Sequence, residues 1–475
     1  MTNNLIDQRS FAKKGIILGT DGYKLSHHSQ YPPGMERLYS YFEARAGGEY
    51  PATTFFGLQY ILKRHLVGKV VTKEEIDFAE WRTKTMLGRG DVFNRKGWER
   101  ILNEHDGQLP LIIKAVPEGM TIPESNVLMT VENTDPELAW LTNYVETLLT
   151  QVWYPTTVCT VSREMKKLIW QAILISGTET VENLLFRLHD FGYRGVTCDE
   201  QAGIGGMAHL VNFLGTDTLA AVDMAWEFYG EENAGFTIPA TEHSTITTWG
   251  EAGEEAAFEN YLEVHPDGTI ACVSDSWDIY RACGEIWGGK LRAKVLERDG
   301  VLVVRPDSGE PTEVVPEVLR ILWQRFGGTT NPKGYKVLCD KMRIIQGDGI
   351  GRDTLWAILQ AVMNDGFSVD NISFGSGGGL LQKVDRDTQR FAFKASWTEI
   401  NGVEQDVFKR PATDPTKDSK RGRLMLAQGT EFAGGFKTLL EGTPGYADIL
   451  RPVFENGELL IDEDFATIRK RAEFV

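Results

Sequence analysis

The sequence predicts an α/β fold built on a barrel or a doubly wound parallel sheet, with a second, α+β domain formed by both chain ends. Three observations carry this. Short β-branched runs alternate with amphipathic helical patterns in the middle of the chain. Chemically distinctive residues stand directly after those runs. Roughly the first 150 and the last 90 residues lack this rhythm and hold mixed short strand-like runs instead.

The outer segments come first. LYSYFEAR at 38–45 and LIIKAVPEG at 111–119 read as short strands. The expected division is 1–150 with 387–475 as one domain and 151–386 as the barrel-like one. In the middle, TIACVSDSWD (269–278), GVLVVRPDSG (300–309), MRIIQGDG (342–349) and NISFGSGGG (371–379) each read as an apolar strand ending in polar or glycine-rich residues. Between them, Val315, Val318, Leu319, Leu322 and Phe326 fall on one helical face, as do Leu355, Ile358, Leu359, Val362 and Met363. Strands alternating with helices imply parallel pairing through right-handed crossovers. In such a sheet the strand C-terminal ends share one edge, and chemistry collects there.

Composition narrows the function classes. The 475 residues suffice for two or three domains. A net charge of −17 argues against nucleic acid and anionic membranes as partners, while leaving room for a local phosphate pocket. The N-terminal MTNNLIDQRSFAKKG has no apolar core of a signal peptide, and no run is long enough to span a bilayer, so a cytoplasmic protein is expected. Five scattered cysteines without a CxxC read as free thiols in a reducing compartment. No HExxH, GxSxG or Walker pattern is present.

Several stretches carry candidate chemistry. GSGGGLLQK (375–383) after a strand suits a nest of backbone N–H groups around a phosphate, though three glycines also make a flexible turn. RPDSGEP (305–311) is a strong turn sequence. The same residues let Arg305 hold a phosphate or carbonyl and Asp307 a sugar diol or metal-bound water, and Asp348 in QGDG repeats the theme. HDFGYRGV (189–196) sets an aromatic beside Arg194, as a flat ring with an adjacent anion requires, or as a buried aromatic corner provides. FKRPATDPTKDSKRGR (408–423) is a basic run fit for a solvated loop or a polyphosphate cover. His243, in TIPATEHSTITTWG (237–250), is either a satisfied histidine or a catalytic one.

Taken in order, TDGYK, YSYFEAR, HDFGYRG, GTDT, PATEHSTIT, VSDSWDIY, RPDSGEP, IQGDG and FGSGGGLLQK resemble the nicotinamide phosphoribosyltransferases, from about residue 16 to the C-terminus. The resemblance implies a type II phosphoribosyltransferase fold, with a barrel-like α/β domain and a second domain from both chain ends. It implies a homodimer with two shared active sites. It implies the joining of nicotinamide to 5-phosphoribosyl-1-pyrophosphate with Mg²⁺, giving nicotinamide mononucleotide and pyrophosphate in NAD salvage.

It also implies residue roles. Phe191 and the partner's Tyr23 sandwich the pyridine, and Asp217 accepts from the carboxamide. Arg194 and Arg305 contact phosphates and the amide side of the base. Asp307, Gly347 and Asp348 hold the ribose, and Gly377 and Gly378 bind the 5′-phosphate with Arg386 and Lys394 from across the interface. Arg45, Lys409 and Lys417 face pyrophosphate, with Arg194, His243 and Arg305. Asp278 and Asp307 organise Mg²⁺ through water. His243 is phosphorylated by ATP, with Glu242 or Asp275 orienting it. Gly22, Thr237, Ile238 and Trp277 depart from the family's usual residues. The neighbouring alternatives are nicotinate phosphoribosylation, which Asp217 opposes by charge, and a non-catalytic binding protein on the same fold.

Overall fold

The computed structural model describes residues 15–178, 180–413 and 418–474. Two compact units appear. One comprises the described residues through Thr156 with Arg386–Asp464; the other comprises those from Thr157 to Asp385 and from Phe465 onward. The sequence reading gives all of 387–475 to the first unit, whereas the helix Phe465–Ala472 belongs to the second. There Phe465 meets Tyr229 edge-on at 5.7 Å, and Arg469 donates to the Leu210 carbonyl at 2.7 Å.

The first unit is organised by a seven-stranded sheet in the order Val403–Asp406, Phe391–Ile400, Met35–Ala44, Val127–Asn133, Leu111–Ala115, Arg451–Glu455, Glu458–Leu459. Every neighbouring pair is antiparallel. The central pairing of Met35–Ala44 with Phe391–Ile400 explains why both chain ends make one unit. Leu38 through Ala44 are all buried, so this strand is covered on both faces. Phe42 stacks on Phe391 at 5.2 Å across the pair.

The second unit holds a six-stranded sheet of β1 (Leu188–Asp190), β2 (Gly215–Thr216), β3 (Asp267–Val273), β4 (Asp299–Arg305), β5 (Met342–Gln346) and β6 (Ile372–Ser376), in the order β2-β1-β6-β5-β4-β3. All five pairings are parallel. The crossovers fall where the helical periodicity lies. Pro311–Phe326 joins β4 to β5 and buries Val315, Val318, Leu319 and Leu322; Arg352–Asn364 joins β5 to β6 and buries Leu355, Ile358, Leu359 and Val362. Each such side chain contributes roughly 1.5–3 kcal/mol of hydrophobic stabilisation. Pro311 starts the first of these helices at a position whose N–H has no intrahelical partner.

The sheet's two edges are joined by one short segment. Phe236 pairs in parallel with Gly215 beside β2, and four residues later Ala240 pairs in parallel with Ala271 of β3. The bonds are main-chain. Phe236 N donates to Leu214 O at 2.7 Å and Thr216 N to Phe236 O at 3.0 Å; Ala271 N donates to Pro239 O and Thr241 N to Ala271 O, both at 3.0 Å. The strap 236–240 thus completes a ring around an interior filled by Ala271, Val303 and Ile345, with Ile238 and Phe191 packed against them. Among the described residues no helix is long and apolar enough to cross a membrane.

Candidate active site

Parallel pairing brings the strand ends of the second unit to one edge, and the strap delivers His243 beside them. The first group lies at β1 and β2. Phe191 follows β1, its N–H donating to Ser376 O of β6 at 3.0 Å. Its ring lies over two glycines at neighbouring strand ends. A Cβ on Gly375 would come within 2.0 Å of Phe191 Cε2, and one on Gly347 within 3.2 Å. Gly375 is therefore required by the ring's seat, and at Gly347 a Cβ would make a tight contact with it.

Asp190 underlies this group. Its side chain is fully buried. Oδ1 accepts the Gly192 N–H at 2.7 Å, and its carbonyl accepts the Asp217 N–H at 2.9 Å. Burial pushes its carboxyl up to about 6, against the Gly192 bond that favours the charged form. Asp217 itself is exposed, and the Thr237 hydroxyl of the strap donates to its Oδ1. Arg194 is exposed on the single turn Tyr193–Gly195.

The second group lies at β3 and β4. His243 Nε2 is 3.2 Å from Asp275 Oδ1, and Nδ1 is 3.9 Å from Asp307 Oδ2. Glu242 instead takes the hydroxyl of Ser244, so Asp275 is the carboxylate that reaches the histidine. Asp275 Oδ2 accepts from Asp307 N at 3.0 Å and from Ser308 Oγ at 2.5 Å, fixing the loop after β4. Arg305 Nε lies 3.8 Å from Asp307 Oδ1, too far for a hydrogen bond, and is buried without a partner among the described residues. A buried guanidinium N–H left open is a donor awaiting an acceptor. Asp278 is partly committed: its Oδ1 caps the turn Ile279–Arg281 through Tyr280 N at 2.9 Å and Arg281 N at 3.0 Å.

The third group follows β5 and β6. Asp348 is exposed beside Gly347. Gly377 and Gly378 open the one-turn helix Gly378–Leu381, and Gly379 sits so close to the neighbouring loop that a Cβ would meet Ile350 O at 2.3 Å. The backbone is thereby presented bare at the strand end.

The remaining expected residues fall in the first unit. Arg45 ends the strand Met35–Ala44, and its Nε donates to Arg390 O at 3.1 Å. Lys394 pairs with Tyr41 in the adjacent strand. Partial burial, and then the charges of Arg45 and Lys409, hold the Lys394 amine below its ordinary range. Arg45 and Lys409 oppose the Lys394 charge more strongly than the nearby Glu43 and Glu146 support it, so positive charge predominates around this amine. Arg386 is exposed, 3.5 Å from Asp387 Oδ1, and Tyr23 is 62% exposed on the turn Gly22–Ser29. Lys417 lies outside the described residues. Asp190 and Ser308 stand in stretches singled out from the sequence, but their supporting roles are not assigned there.

Among the described residues no three His, Cys, Asp or Glu side chains gather as a protein-only metal site. Asp307 nevertheless offers a half-exposed carboxylate whose contacts at 3.8 and 3.9 Å are not hydrogen bonds. That donor set fits a cation which keeps its waters and takes most ligands from substrate phosphates.

Residues 186–458 match the nicotinate phosphoribosyltransferase family, and residues 15–113 match the N-terminal domain of nicotinamide phosphoribosyltransferase. The chain is 46% identical over 464 residues to a nicotinamide phosphoribosyltransferase of Xanthomonas campestris pv. campestris, covering 96% of this chain and 98% of that one. It is 34% identical to another, from Acinetobacter baylyi, covering 95% of each. In fold it resembles the nicotinate-nucleotide pyrophosphorylase of Pyrococcus furiosus, with a TM-score of 0.64, 16% identity, and 98% and 97% of the two chains covered. With near-complete coverage at 46% identity, the chain belongs to the nicotinamide phosphoribosyltransferase family.

Proposed function

We propose that this protein transfers the 5-phosphoribosyl group of phosphoribosyl pyrophosphate to nicotinamide, forming nicotinamide mononucleotide and pyrophosphate. The observation that carries the reading is that Phe191, bonded to Ser376 O, and Asp217, bonded to Asp190 O, stand at the edge that also holds Arg305, Asp307 and the bare glycine backbone. The pyridine lies on Phe191, and its carboxamide donates to Asp217. The pyridine nitrogen attacks the anomeric carbon as the bond to pyrophosphate breaks, so no general base is needed. Asp307 and Asp348 hold the ribose hydroxyls, the backbone at Gly377 and Gly378 takes the 5′-phosphate, and Arg305 and Arg194 meet the developing anionic charge. Bound Mg²⁺ supplies further neutralisation of the leaving pyrophosphate.

A homodimer completes each site in this reading. Tyr23, Arg45, Arg386, Lys394, Lys409 and Lys417 come from the second copy. The crowding of Arg45, Lys394 and Lys409 supports their role toward pyrophosphate. His243 is proposed to couple the reaction to ATP. Its ring nitrogen attacks the γ-phosphorus, the N–P bond forms, the bond to the bridging oxygen breaks, and ADP leaves. Asp275, at 3.2 Å from Nε2, holds the tautomer that leaves Nδ1 as the nucleophile. A cytoplasmic location completes the proposal.

Nicotinate is the rival base. Its carboxylate would face Asp217 with like charge and without a proton to give. The test incubates the purified protein with phosphoribosyl pyrophosphate and Mg²⁺, with nicotinamide or nicotinate, with and without ATP, and reads mononucleotide by mass spectrometry. Product from nicotinamide, raised by ATP, is expected. Asp217→Ser is expected to raise the nicotinate-to-nicotinamide ratio of kcat/KM at least about tenfold. Product mainly from nicotinate with the unaltered protein overturns the base assignment.

A further inference from the structure

We infer that Thr237 is a specificity-determining residue that acts through Asp217, fixing which carboxylate oxygen faces the base. The inference rests on the nicotinamide reading above and deepens it.

The geometry starts with the Asp217 carboxylate. Its backbone N–H is fixed on Asp190 O at 2.9 Å, but the side chain is exposed and takes one hydrogen bond among the described residues, from the Thr237 hydroxyl. An exposed aspartate alone samples several rotamers and points either oxygen at water. The hydroxyl has a single proton; its close contact is with Oδ1, while the alternative acceptor, the Ile238 carbonyl, lies 3.5 Å away. Oδ2 is then left as a pure acceptor at a fixed place.

Thr237 can impose this because its own backbone is held on both sides. Phe236 is bonded to Leu214 and Thr216 on one sheet edge, and Pro239 to Ala271 on the other. Ile238, the next residue, is packed against the ring interior. The hydroxyl is thus presented from a frame braced at both ends, not from a free loop. A carboxamide has two N–H donors for a fixed acceptor, whereas a carboxylate base has none. Locking Asp217 therefore widens the gap between the two bases. Releasing it lets the aspartate turn to solvent and narrows that gap.

The test compares kcat/KM for nicotinamide and nicotinate, and KM for phosphoribosyl pyrophosphate, in the unaltered protein, Thr237→Val and Thr237→Ser. Thr237→Val keeps the shape and removes the donor. It is expected to lower the nicotinamide preference about tenfold, the scale of one hydrogen bond to a charged group, with KM for phosphoribosyl pyrophosphate unchanged. Thr237→Ser is expected to restore the preference. In an Asp217→Ser background, Thr237→Val is expected to change nothing further, because its effect runs through Asp217. An unchanged preference in Thr237→Val overturns the inference while leaving the function standing. An equal loss in the Val and Ser variants overturns it too, since the hydroxyl would not be the cause. Failure of the unaltered protein to use nicotinamide overturns the function reading, and this inference with it.

Discussion

Asp275 links His243 to the loop after β4. One of its oxygens lies 3.2 Å from His243 Nε2, while the other takes the Asp307 N–H at 3.0 Å and the Ser308 hydroxyl at 2.5 Å. A single buried carboxylate therefore sets both the histidine and the aspartate that faces its other nitrogen. Asp275→Ala is expected to cut phosphate incorporation at His243 by about tenfold to a hundredfold, from the loss of a charge-assisted bond and the loosened loop. Labelled γ-phosphate transferred from ATP into acid-labile protein phosphate measures it. Undiminished labelling would remove Asp275 from the phosphorylation step.

Gly375 is the seat of the Phe191 ring. Gly375→Ala places a methyl 2.0 Å from Phe191 Cε2 and must displace the ring. A stability loss of roughly 1–3 kcal/mol is expected from overpacking, together with a raised KM for nicotinamide and an unchanged KM for phosphoribosyl pyrophosphate. Gly402→Ala is the contrast: its φ of +70° costs about 1 kcal/mol, but open space surrounds it and activity should hold. Denaturant titration with steady-state kinetics separates the two.

Lys394 illustrates a binding group held at a cost to the fold. Burial and the neighbouring cations Arg45 and Lys409 oppose its charge. The folded state therefore holds its proton less tightly than the unfolded one. The stability this costs below the lowered folded value is recovered as pH rises towards the ordinary lysine range. Lys394→Gln should raise the melting temperature at pH 7 yet weaken phosphoribosyl pyrophosphate binding about tenfold. Calorimetric melting and substrate titration should move in opposite directions. A fall in both would mean that Lys394 is a structural residue.

Asp190 gives a second pH signature with the opposite sense. Its folded carboxyl keeps its proton up to about 6, above the ordinary 3.8. The folded state binds more protons between those values, so stability is greatest below about pH 4, falls as pH rises to about 6, and stays lower above it. Asp190→Asn keeps the acceptor for the Gly192 N–H and has no charge to bury. It should gain about 1–3 kcal/mol at pH 7 and almost nothing at pH 4. Unfolding free energies at the two pH values test this; equal gains at both would rule out titration as the cause.

Much of the second unit was readable because parallel βα topology is written locally. Val315 through Phe326 announce a helix by spacing, and Arg305, Asp307, Asp348 and the Gly377–Gly379 backbone gather because each directly follows a strand. The first unit was readable only in outline. The pairing of Met35–Ala44 with Phe391–Ile400 joins segments some 350 positions apart, and register at that distance leaves no local mark. Asp190 shows why support roles escape: its carboxylate lies so close to the helix residue Gly206 that a Cβ there would come within 2.8 Å of Oδ2, a contact no local pattern announces. Phe465–Ala472 is amphipathic, but a pattern names the buried face and not the surface that receives it. The strap left no local mark because its pairings are two isolated bridges at Phe236 and Ala240, not an alternating strand run.

That strap has a consequence for how the site can diverge. Its pairing to the two sheet edges is made by main-chain bonds at Phe236, Pro239 and Thr241, with the Ile238 side chain packed inside and the Thr237 hydroxyl on Asp217. Residues 237 and 238 therefore sit in a bracket whose sheet pairing is made by main-chain bonds. One meets Asp217, and the other packs against the apolar interior. Exchanging them re-tools the opening for a different ring substituent or a longer guest without dismantling the frame, so new selectivity on this scaffold can be obtained from two adjacent positions.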